Sequence, residues 1–178
     1  IMLQIGPFDE ADADDDDNEI DTGFLLALLR NMAESRVLST LQIYCRKDIT
    51  GEVGRALTRV LTSCTSIRCF DVRGREQRAT SFTMPVLTNL DEVALEKVYL
   101  RPESLLSLLR TVESISLDCC EMLQQDAAGA EQSDNLESWA SALRHNRRIR
   151  ILRIVDHFCI ELRNPEGMDE FVEALSTR

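Results

Sequence analysis

One short apolar spacing recurs along this chain, with helix-like segments between its copies. Its form is apolar-x-x-apolar-x-apolar. The five full copies begin at Leu38, Ile67, Leu90, Val112 and Ile149. A truncated copy stands at Leu3-x-Ile5. A unit this small cannot bury its own apolar side, so it must stack on its neighbours. The spacing therefore predicts an architecture of stacked repeats.

Two segments interrupt the repeats. Residues 9–21 hold almost no side chain that could be buried, so we expect a solvated acidic loop there. Residues 124–133 are polar and rich in Ala and Gly, and we expect them to form a flexible insertion.

Helical spacing is found between the strand-like copies. Residues 52–62 show it most clearly, because apolar side chains recur there every three or four residues. This alternation of strands and helices fits either stacked repeats or a doubly wound parallel sheet. The second architecture would make the chain a compact α/β enzyme with an unidentified small-molecule substrate and a crevice at the strand ends. Two observations favour the stack. The strand segments lack the continuous apolar runs of a sheet covered on both faces, and no Gly-rich phosphate loop follows a strand.

The recurring spacing resembles the leucine-rich repeat, whose motif runs Leu-x-x-Leu-x-Leu-x-x-Asn/Cys-x-Leu. The segment from Leu38 to Val72, LSTLQIYCRKDITGEVGRALTRVLTSCTSIRCFDV, is most similar to the ribonuclease-inhibitor-like subtype, in which a full helix backs every strand. A second match, SWASALRHNRRIRILRI, begins at Ser138. The resemblance implies an α/β leucine-rich-repeat solenoid (horseshoe) with a parallel concave sheet and helices on the convex side. Residues 1–178 would then be a single leucine-rich-repeat domain fragment of a longer protein.

The residue that follows each strand departs from the family pattern. The motif has Asn or Cys at this position, which the five full copies fill with Arg46, Arg75, Val98, Cys120 and His157. Only Cys120 matches. Irregular repeats of this kind resemble those of large eukaryotic proteins, including substrate-receptor F-box proteins, although no F-box segment is present. The resemblance implies a noncatalytic protein-interaction scaffold, as part of an F-box-type adaptor or a regulatory receptor.

The register of the repeats predicts which side chains face the partner. In a leucine-rich solenoid the patterned apolar residues point inward, so the residues between them face outward on the concave sheet. A surface of mixed charge with a tyrosine is typical of protein-binding sites. The predicted partner-binding residues are Gln42, Tyr44, Asp71, Arg73, Glu96, Asp118 and Arg153. We expect no catalytic residues, no cofactor and no metal site.

The net charge of −11 is concentrated in one segment. Nine acidic residues lie between Asp9 and Asp21, so the rest of the chain is nearly neutral. No broad basic surface is evident, and nucleic acid is therefore not an expected partner. The densest basic cluster comprises Arg144, Arg147, Arg148, Arg150 and Arg153. We expect this cluster to be an ordinary charged surface.

Metal-binding patterns are weak in this sequence. Residues 12–17 begin like an EF-hand loop, but Asp17 and Gly23 occupy the positions that require Gly and Glu. His145 and His157 lack a second ligand at metal-binding spacing, so we expect both to have structural roles.

The cysteines indicate a reducing compartment. There are six of them, with no Cys-x-x-Cys pair, and a disulfide between the adjacent Cys119 and Cys120 would be strained. We therefore expect reduced thiols and a cytoplasmic or nuclear location, while zinc binding by the cysteines is left open. No apolar run is long enough to span a bilayer, so no membrane partner is expected. The sequence leaves the oligomeric state open.

Overall fold

Strands and helices alternate along the chain in the computed structural model, which describes residues 2–5, 22–45, 49, 51–74, 82–123, 132–155 and 165–176. The strands are β1 (Met2–Ile5), β2 (Thr40–Cys45), β3 (Cys69–Gly74), β4 (Glu92–Glu96), β5 (Tyr99–Leu100), β6 (Ser114–Asp118), β7 (Glu121–Met122) and β8 (Ile151–Val155). The helices are α1 (Thr22–Met32), α2 (Gly51–Ser63), α3 (Pro102–Thr111), α4 (Gln132–His145) and α5 (Pro165–Ser176). The predicted acidic loop, residues 9–21, lies outside the described residues, as do Arg46, Arg75 and His157.

The main sheet has six strands in sequential order, β1-β2-β3-β4-β6-β8, and every neighbouring pair is parallel. A smaller parallel sheet joins β5 to β7. A doubly wound sheet would require the strand order to reverse, and the described strands show no reversal. The mixed α/β class with a parallel sheet is therefore confirmed. The curved horseshoe shape and the ribonuclease-inhibitor-like subtype stay predictions.

The strands bury one face against the helices, and no described helix or strand covers the other face. Their inward side chains join a single hydrophobic cluster with the helices; in the four central strands these are Leu41, Ile43, Phe70, Val72, Val93, Leu95, Ile115 and Leu117. The residues between them are mostly half-buried or exposed. This is the alternation that the apolar spacing predicts. It weakens at the edge strand β8, where Leu152 is half-buried and Ile154 is 36% exposed.

The helices form where the sequence gives them an apolar stripe. In α2, Val53, Leu57, Val60 and Leu61 are buried on one side of the helix. Helix α3 begins at Pro102, a favourable first helical residue because proline has no N–H to lose at this position. Helix α4 begins earlier than expected, so Gln132 and Ser133 of the predicted insertion are helical. Residues 124–131 lie outside the described ranges, and their flexibility stays a prediction.

An extended segment replaces the helix in the described residues between β3 and β4. Within this segment, residues 82–90, Phe82 and Met84 are fully buried. Phe82 lies against α2, where its Cα would be 3.6 Å from a Cβ on Gly54. On the other side, Ser104 of α3 donates a hydrogen bond to the Met84 carbonyl at 2.7 Å. The segment therefore fills the space between α2 and α3.

Successive repeats are joined by one recurring backbone arrangement. Before each of four strands, two consecutive N–H groups donate to a single carbonyl of the preceding repeat. The donor pairs are Arg68 and Cys69, Asp91 and Glu92, Glu113 and Ser114, and Arg150 and Ile151, and the acceptors are Ser39, Arg68, Asp91 and Glu113. A second recurrence follows the strands, where Lys97 and Cys119 adopt left-handed backbone conformations with φ of 55° and 48°. Equivalent geometry at equivalent positions shows that these units are structural repeats.

Candidate functional site

The face of the main sheet opposite the helices, here called the open face, carries most of the polar side chains of the described strands. Because side chains alternate along each strand, its members are fixed by the buried residues between them. From β2 to β8 they are Thr40, Gln42, Tyr44, Cys69, Asp71, Arg73, Glu92, Ala94, Glu96, Ser114, Ser116, Asp118, Ile151, Arg153 and Val155. All seven predicted partner-binding residues lie on this face.

The strand register arranges these side chains in rows. Gln42, Asp71 and Arg153 lie in one row, with Ala94 and Ser116 between Asp71 and Arg153. In the next row Tyr44 is paired with Arg73, and Glu96 with Asp118. The structure thus brings Tyr44, Asp71 and Arg73 into contact and leaves Arg153 apart from them, on the edge strand β8.

Tyr44, Asp71 and Arg73 form a bonded group that we call the Tyr44 cluster. Arg73 Nε donates to Asp71 Oδ1 at 3.1 Å, and its Nη2 donates to Asp71 Oδ2 at 3.0 Å, which makes the pair bidentate. The Tyr44 hydroxyl donates to Asp71 Oδ2 at 3.3 Å. The guanidinium carbon of Arg73 lies 5.3 Å from the centre of the Tyr44 ring, within range of a cation–π contact. Each member therefore holds the other two in place.

Burial and charge set the ionisation of this cluster. Asp71 is only 8% exposed, and a carboxylate so far from water needs the charge and hydrogen bonds that Arg73 and Tyr44 supply. Burial raises the pKa of Tyr44 above its ordinary value, and the nearby Asp71 charge adds to the rise. The hydrogen bonds to Asp71 raise the pKa of Arg73. At neutral pH the cluster presents a neutral phenol and a cationic guanidinium.

An acidic pair lies beside the Tyr44 cluster. Glu96 and Asp118 are adjacent in the strand register, and both are half-buried. Lys97 Nζ lies 3.8 Å from Glu96 Oε1, so one of the two carboxylates has a cation nearby. Like charges side by side on neighbouring strands repel each other. This part of the open face would therefore favour a cationic group on a partner.

Two asparagine side chains join the repeats just before the strands. Asn146, 4% exposed, donates from Nδ2 to the carbonyls of Leu109 and Val112 at 2.9 and 3.0 Å. Its Oδ1 accepts from the N–H groups of Arg148 and Ile149. Asn89 makes one comparable bond, to the Ile67 carbonyl at 2.9 Å. The signal was present in the sequence, because both are Asn residues shortly before an apolar copy.

Arg148 is the member of the basic cluster with the clearest role. Its Nη2 lies 2.7 Å from Asp91 Oδ1 and 2.7 Å from Glu113 Oε1. Asp91 and Glu113 immediately precede β4 and β6, so this arginine links three successive repeats at the surface. Arg147, Arg150 and Arg153 are exposed, as expected of a charged surface.

Trp139 and His145 contact neighbouring backbone groups, which is typical of structural residues. Trp139 is buried and donates from Nε1 to the Pro102 carbonyl at 3.4 Å. His145 is exposed at the end of α4, where Nδ1 lies 2.7 Å from the Ser141 carbonyl. Within the described ranges, no group of three or more His, Cys, Asp or Glu side chains is placed to hold a metal ion. None of the described helices has the length and hydropathy that crossing a bilayer requires.

Cys120 occupies the position after a strand where the sequence matches the leucine-rich motif. Its side chain is fully buried, and Sγ donates to the Leu95 carbonyl of the neighbouring strand at 3.4 Å. Burial raises the pKa of the Cys120 thiol to about 11. The equivalent Val98 is also buried but has no polar side chain to offer. The thiol therefore serves as a packed hydrogen-bond donor.

We expect Cys120 to make the stability depend on pH in the alkaline range. The ordinary thiol pKa is 9.0, and folding raises it to about 11, so the protonated thiol stabilises the fold. This contribution is complete below about pH 9 and is lost as the pH rises through about 11. Between these values, urea unfolding should show the wild type losing about 2–3 kcal/mol more than Cys120→Ala. Equal losses in the two proteins would contradict this assignment.

No protein-family model matches the sequence, and no curated protein matches it. Among solved structures, the C-terminal domain of tropomodulin from Caenorhabditis elegans is similar over 88% of this chain and 92% of that one, with 17% identity and a TM-score of 0.48. Actin-binding site 2 of leiomodin-1 is similar over 89% of each chain, with 13% identity and a TM-score of 0.44.

Proposed function

We propose that this chain is a noncatalytic interaction scaffold that binds a protein partner through the open face. The observation that carries the proposal is the Tyr44 cluster, in which an exposed arginine and a half-buried tyrosine are fixed on an uncovered sheet. Tyr and Arg are the residue types that most often dominate binding energy at protein interfaces.

Preorganisation supports this assignment. A free arginine side chain loses rotamer entropy when a partner immobilises it, which weakens binding. Here the two hydrogen bonds to Asp71 already fix the guanidinium, and the Tyr44 ring packs beneath it. The cost of ordering is thus met during folding, and more of the contact energy is available for the partner.

The neighbouring charges define the rest of the surface. Glu96 and Asp118 provide an acidic area next to the cluster, and Arg153 provides a cation beyond Ser116. Gln42 can form hydrogen bonds without bringing a charge into the interface. A partner with a basic patch beside an apolar or aromatic contact would fit this arrangement.

Partner capture from a native lysate, quantified by mass spectrometry, tests the open face. We expect Tyr44→Ala and Arg73→Ala each to lower the amount of captured partner by about tenfold or more, because each removes a central contact. Arg153→Ala, farther from the cluster, should have a smaller effect. Tyr44→Phe separates the hydroxyl's hydrogen bond to Asp71 from the contribution of the ring.

Matched controls come from the helices. Arg59 and Arg110 are exposed on α2 and α3, away from the open face, so Arg59→Ala and Arg110→Ala should capture normally. Circular dichroism would establish that every variant is folded. Unchanged capture by folded Tyr44→Ala and Arg73→Ala would refute the proposal.

The proposal is the same for an F-box-type adaptor and for a regulatory receptor, because in both the face would bind a protein. We also propose that the protein is located in the cytoplasm or the nucleus. Among the described residues, Cys64, Cys69 and Cys120 are present as thiols, a state that a reducing compartment maintains.

A further inference from the structure

The residues of the open face nearest the carboxyl ends of the main strands form one row, here called the Tyr44 row. Strand pairing places Tyr44 beside Arg73, Glu96 beside Asp118, and Asp118 beside Val155. Extending the β3–β4 register by one residue places Arg73 beside Glu96. From β2 to β8 the Tyr44 row therefore runs aromatic, basic, acidic, acidic and aliphatic, with one residue from each strand.

Arg73 keeps hydrogen-bond donors available to a partner. Asp71 accepts from Nε and Nη2 of Arg73, and these bonds use two of the five N–H groups of the guanidinium. The Arg73 side chain is 53% exposed, so its other N–H groups can reach a bound molecule. A carboxylate matches the fork of a guanidinium in both shape and charge. The basic position of the Tyr44 row therefore favours an acidic side chain on the partner.

The two acidic positions favour a basic side chain in the middle of the row. Glu96 and Asp118 are both half-buried, and the one ion pair that they make within the described ranges is the 3.8 Å contact of Glu96 with Lys97. Two residues earlier on the same strands and the same face, Ala94 and Ser116 are small. A long basic side chain can lay its aliphatic stem over them while its charge reaches the two carboxylates.

The distances along the Tyr44 row match those of an extended chain. Neighbouring strands lie about 4.8 Å apart, so the midpoint between Glu96 and Asp118 is about 7 Å from the strand of Arg73 and equally far from that of Val155. Alternate residues of an extended chain, which point to the same side, are about 6.7 Å apart. Residues that share a helix face advance only about 4.5–6 Å. Val155 is half-buried, and it would contact the third side chain of such a chain.

We propose that the protein partner binds along the Tyr44 row as an extended segment that crosses the strands, with an acidic, a basic and an aliphatic side chain at alternate positions. The acidic group meets Arg73, the basic group lies between Glu96 and Asp118, and the aliphatic group packs on Val155. This inference rests on the proposed function and narrows it to one chemistry and one conformation of the partner. Exchanging the acidic and basic groups would place like charges together, which disfavours binding.

Synthetic peptides test this order of side chains. One peptide has the core Glu-Thr-Lys-Thr-Val, and a second has the same core in the opposite chain direction; the threonines favour an extended backbone. We expect at least one of them to bind the whole chain with a Kd of about 0.1–1 mM, measured by NMR titration of labelled protein up to about 5 mM peptide. In the matched control peptides Glu and Lys are exchanged, and these should bind more weakly by about tenfold or more. Transferred nuclear Overhauser effects should show that the bound peptide is extended.

Charge reversal in the protein should reverse the preference. Asp118→Lys should lower the affinity for the lysine-centred peptide by about tenfold or more, and it should bind a peptide with Glu at the centre more tightly than the wild type does. Asp118→Asn removes the charge without adding another, so it should show a smaller loss. Glu137→Lys is the matched control, because Glu137 is exposed on α4, on the helix side of the sheet, and both affinities should stay unchanged. Circular dichroism would establish that each variant is folded.

Three results would overturn the inference: no saturable binding of either peptide up to about 5 mM, equal affinities for the patterned and exchanged peptides, or a helical bound peptide. Equal binding by the wild type and folded Asp118→Asn and Asp118→Lys would overturn it as well. The proposed function is judged separately, by capture of the natural partner. If Tyr44→Ala and Arg73→Ala lose capture while the peptides show no preference, the open face binds a partner of different chemistry and only this inference fails.

Discussion

Replacement of Asn146 by alanine should lower the free energy of unfolding by about 3–4 kcal/mol, an unusually large effect for a polar residue. The side chain satisfies two carbonyls, of Leu109 and Val112, and two N–H groups, of Arg148 and Ile149. With Asn146 only 4% exposed, bulk water has little access to the groups that alanine would leave unpaired. Urea denaturation monitored by circular dichroism would measure the loss.

Asn89→Ala provides the matched comparison. Asn89 precedes β4 much as Asn146 precedes β8, but it is half-buried and donates to a single carbonyl, that of Ile67. Its loss should cost about 1 kcal/mol, the usual net contribution of one hydrogen bond. Similar losses for the two variants would show that the buried network around Asn146 does not contribute as described.

The second large effect is expected at Phe82, where alanine should destabilise the protein by about 4 kcal/mol. The Phe82 ring is 1% exposed and meets Phe70 of β3 edge to face, with ring centres 6.2 Å apart. Its removal would open a cavity between the sheet and α2, in a part of the core that the described structure fills with an extended segment. Equilibrium unfolding in urea or guanidinium would measure the change.

Val86→Ala tests whether truncating any side chain in residues 82–90 lowers the stability. Val86 is exposed only four residues away, so its truncation should change stability by about 0.5 kcal/mol or less. Phe82→Leu should retain much of the buried volume and fall between the two alanine variants. If Phe82→Ala were as mild as Val86→Ala, the segment would not be part of the cooperative core.

The strands were predictable because their signal is local and redundant. Each copy places apolar residues at fixed separations, and alternation along a strand then assigns the neighbouring side chains to the opposite face. Gln42 and Tyr44 could be placed on the open face in this way from Leu41 and Ile43 alone. The sequential sheet order followed from the same repetition, since equivalent units pack best on their immediate neighbours.

Other features depend on contacts that the sequence does not show. Phe82 stands in a polar neighbourhood, and only the space between α2 and α3 explains why it is buried. The bidentate bond between Arg73 and Asp71 depends on side-chain rotamers as well as on register. The leucine-rich motif predicts a polar side chain after each strand, but Asn89 and Asn146 make their hydrogen bonds before the strands.

The extended segment at residues 82–90 has a mechanical consequence for the whole stack. The helices pack in two groups, α1 with α2, and α3 with α4 and α5, whereas the six-stranded sheet is continuous across both. The backbone hydrogen bonds between β3 and β4, together with the buried residues 82–90, therefore connect the two helix groups. We expect the molecule to bend most readily at this junction, and such bending would change the distance between Arg73 and Arg153.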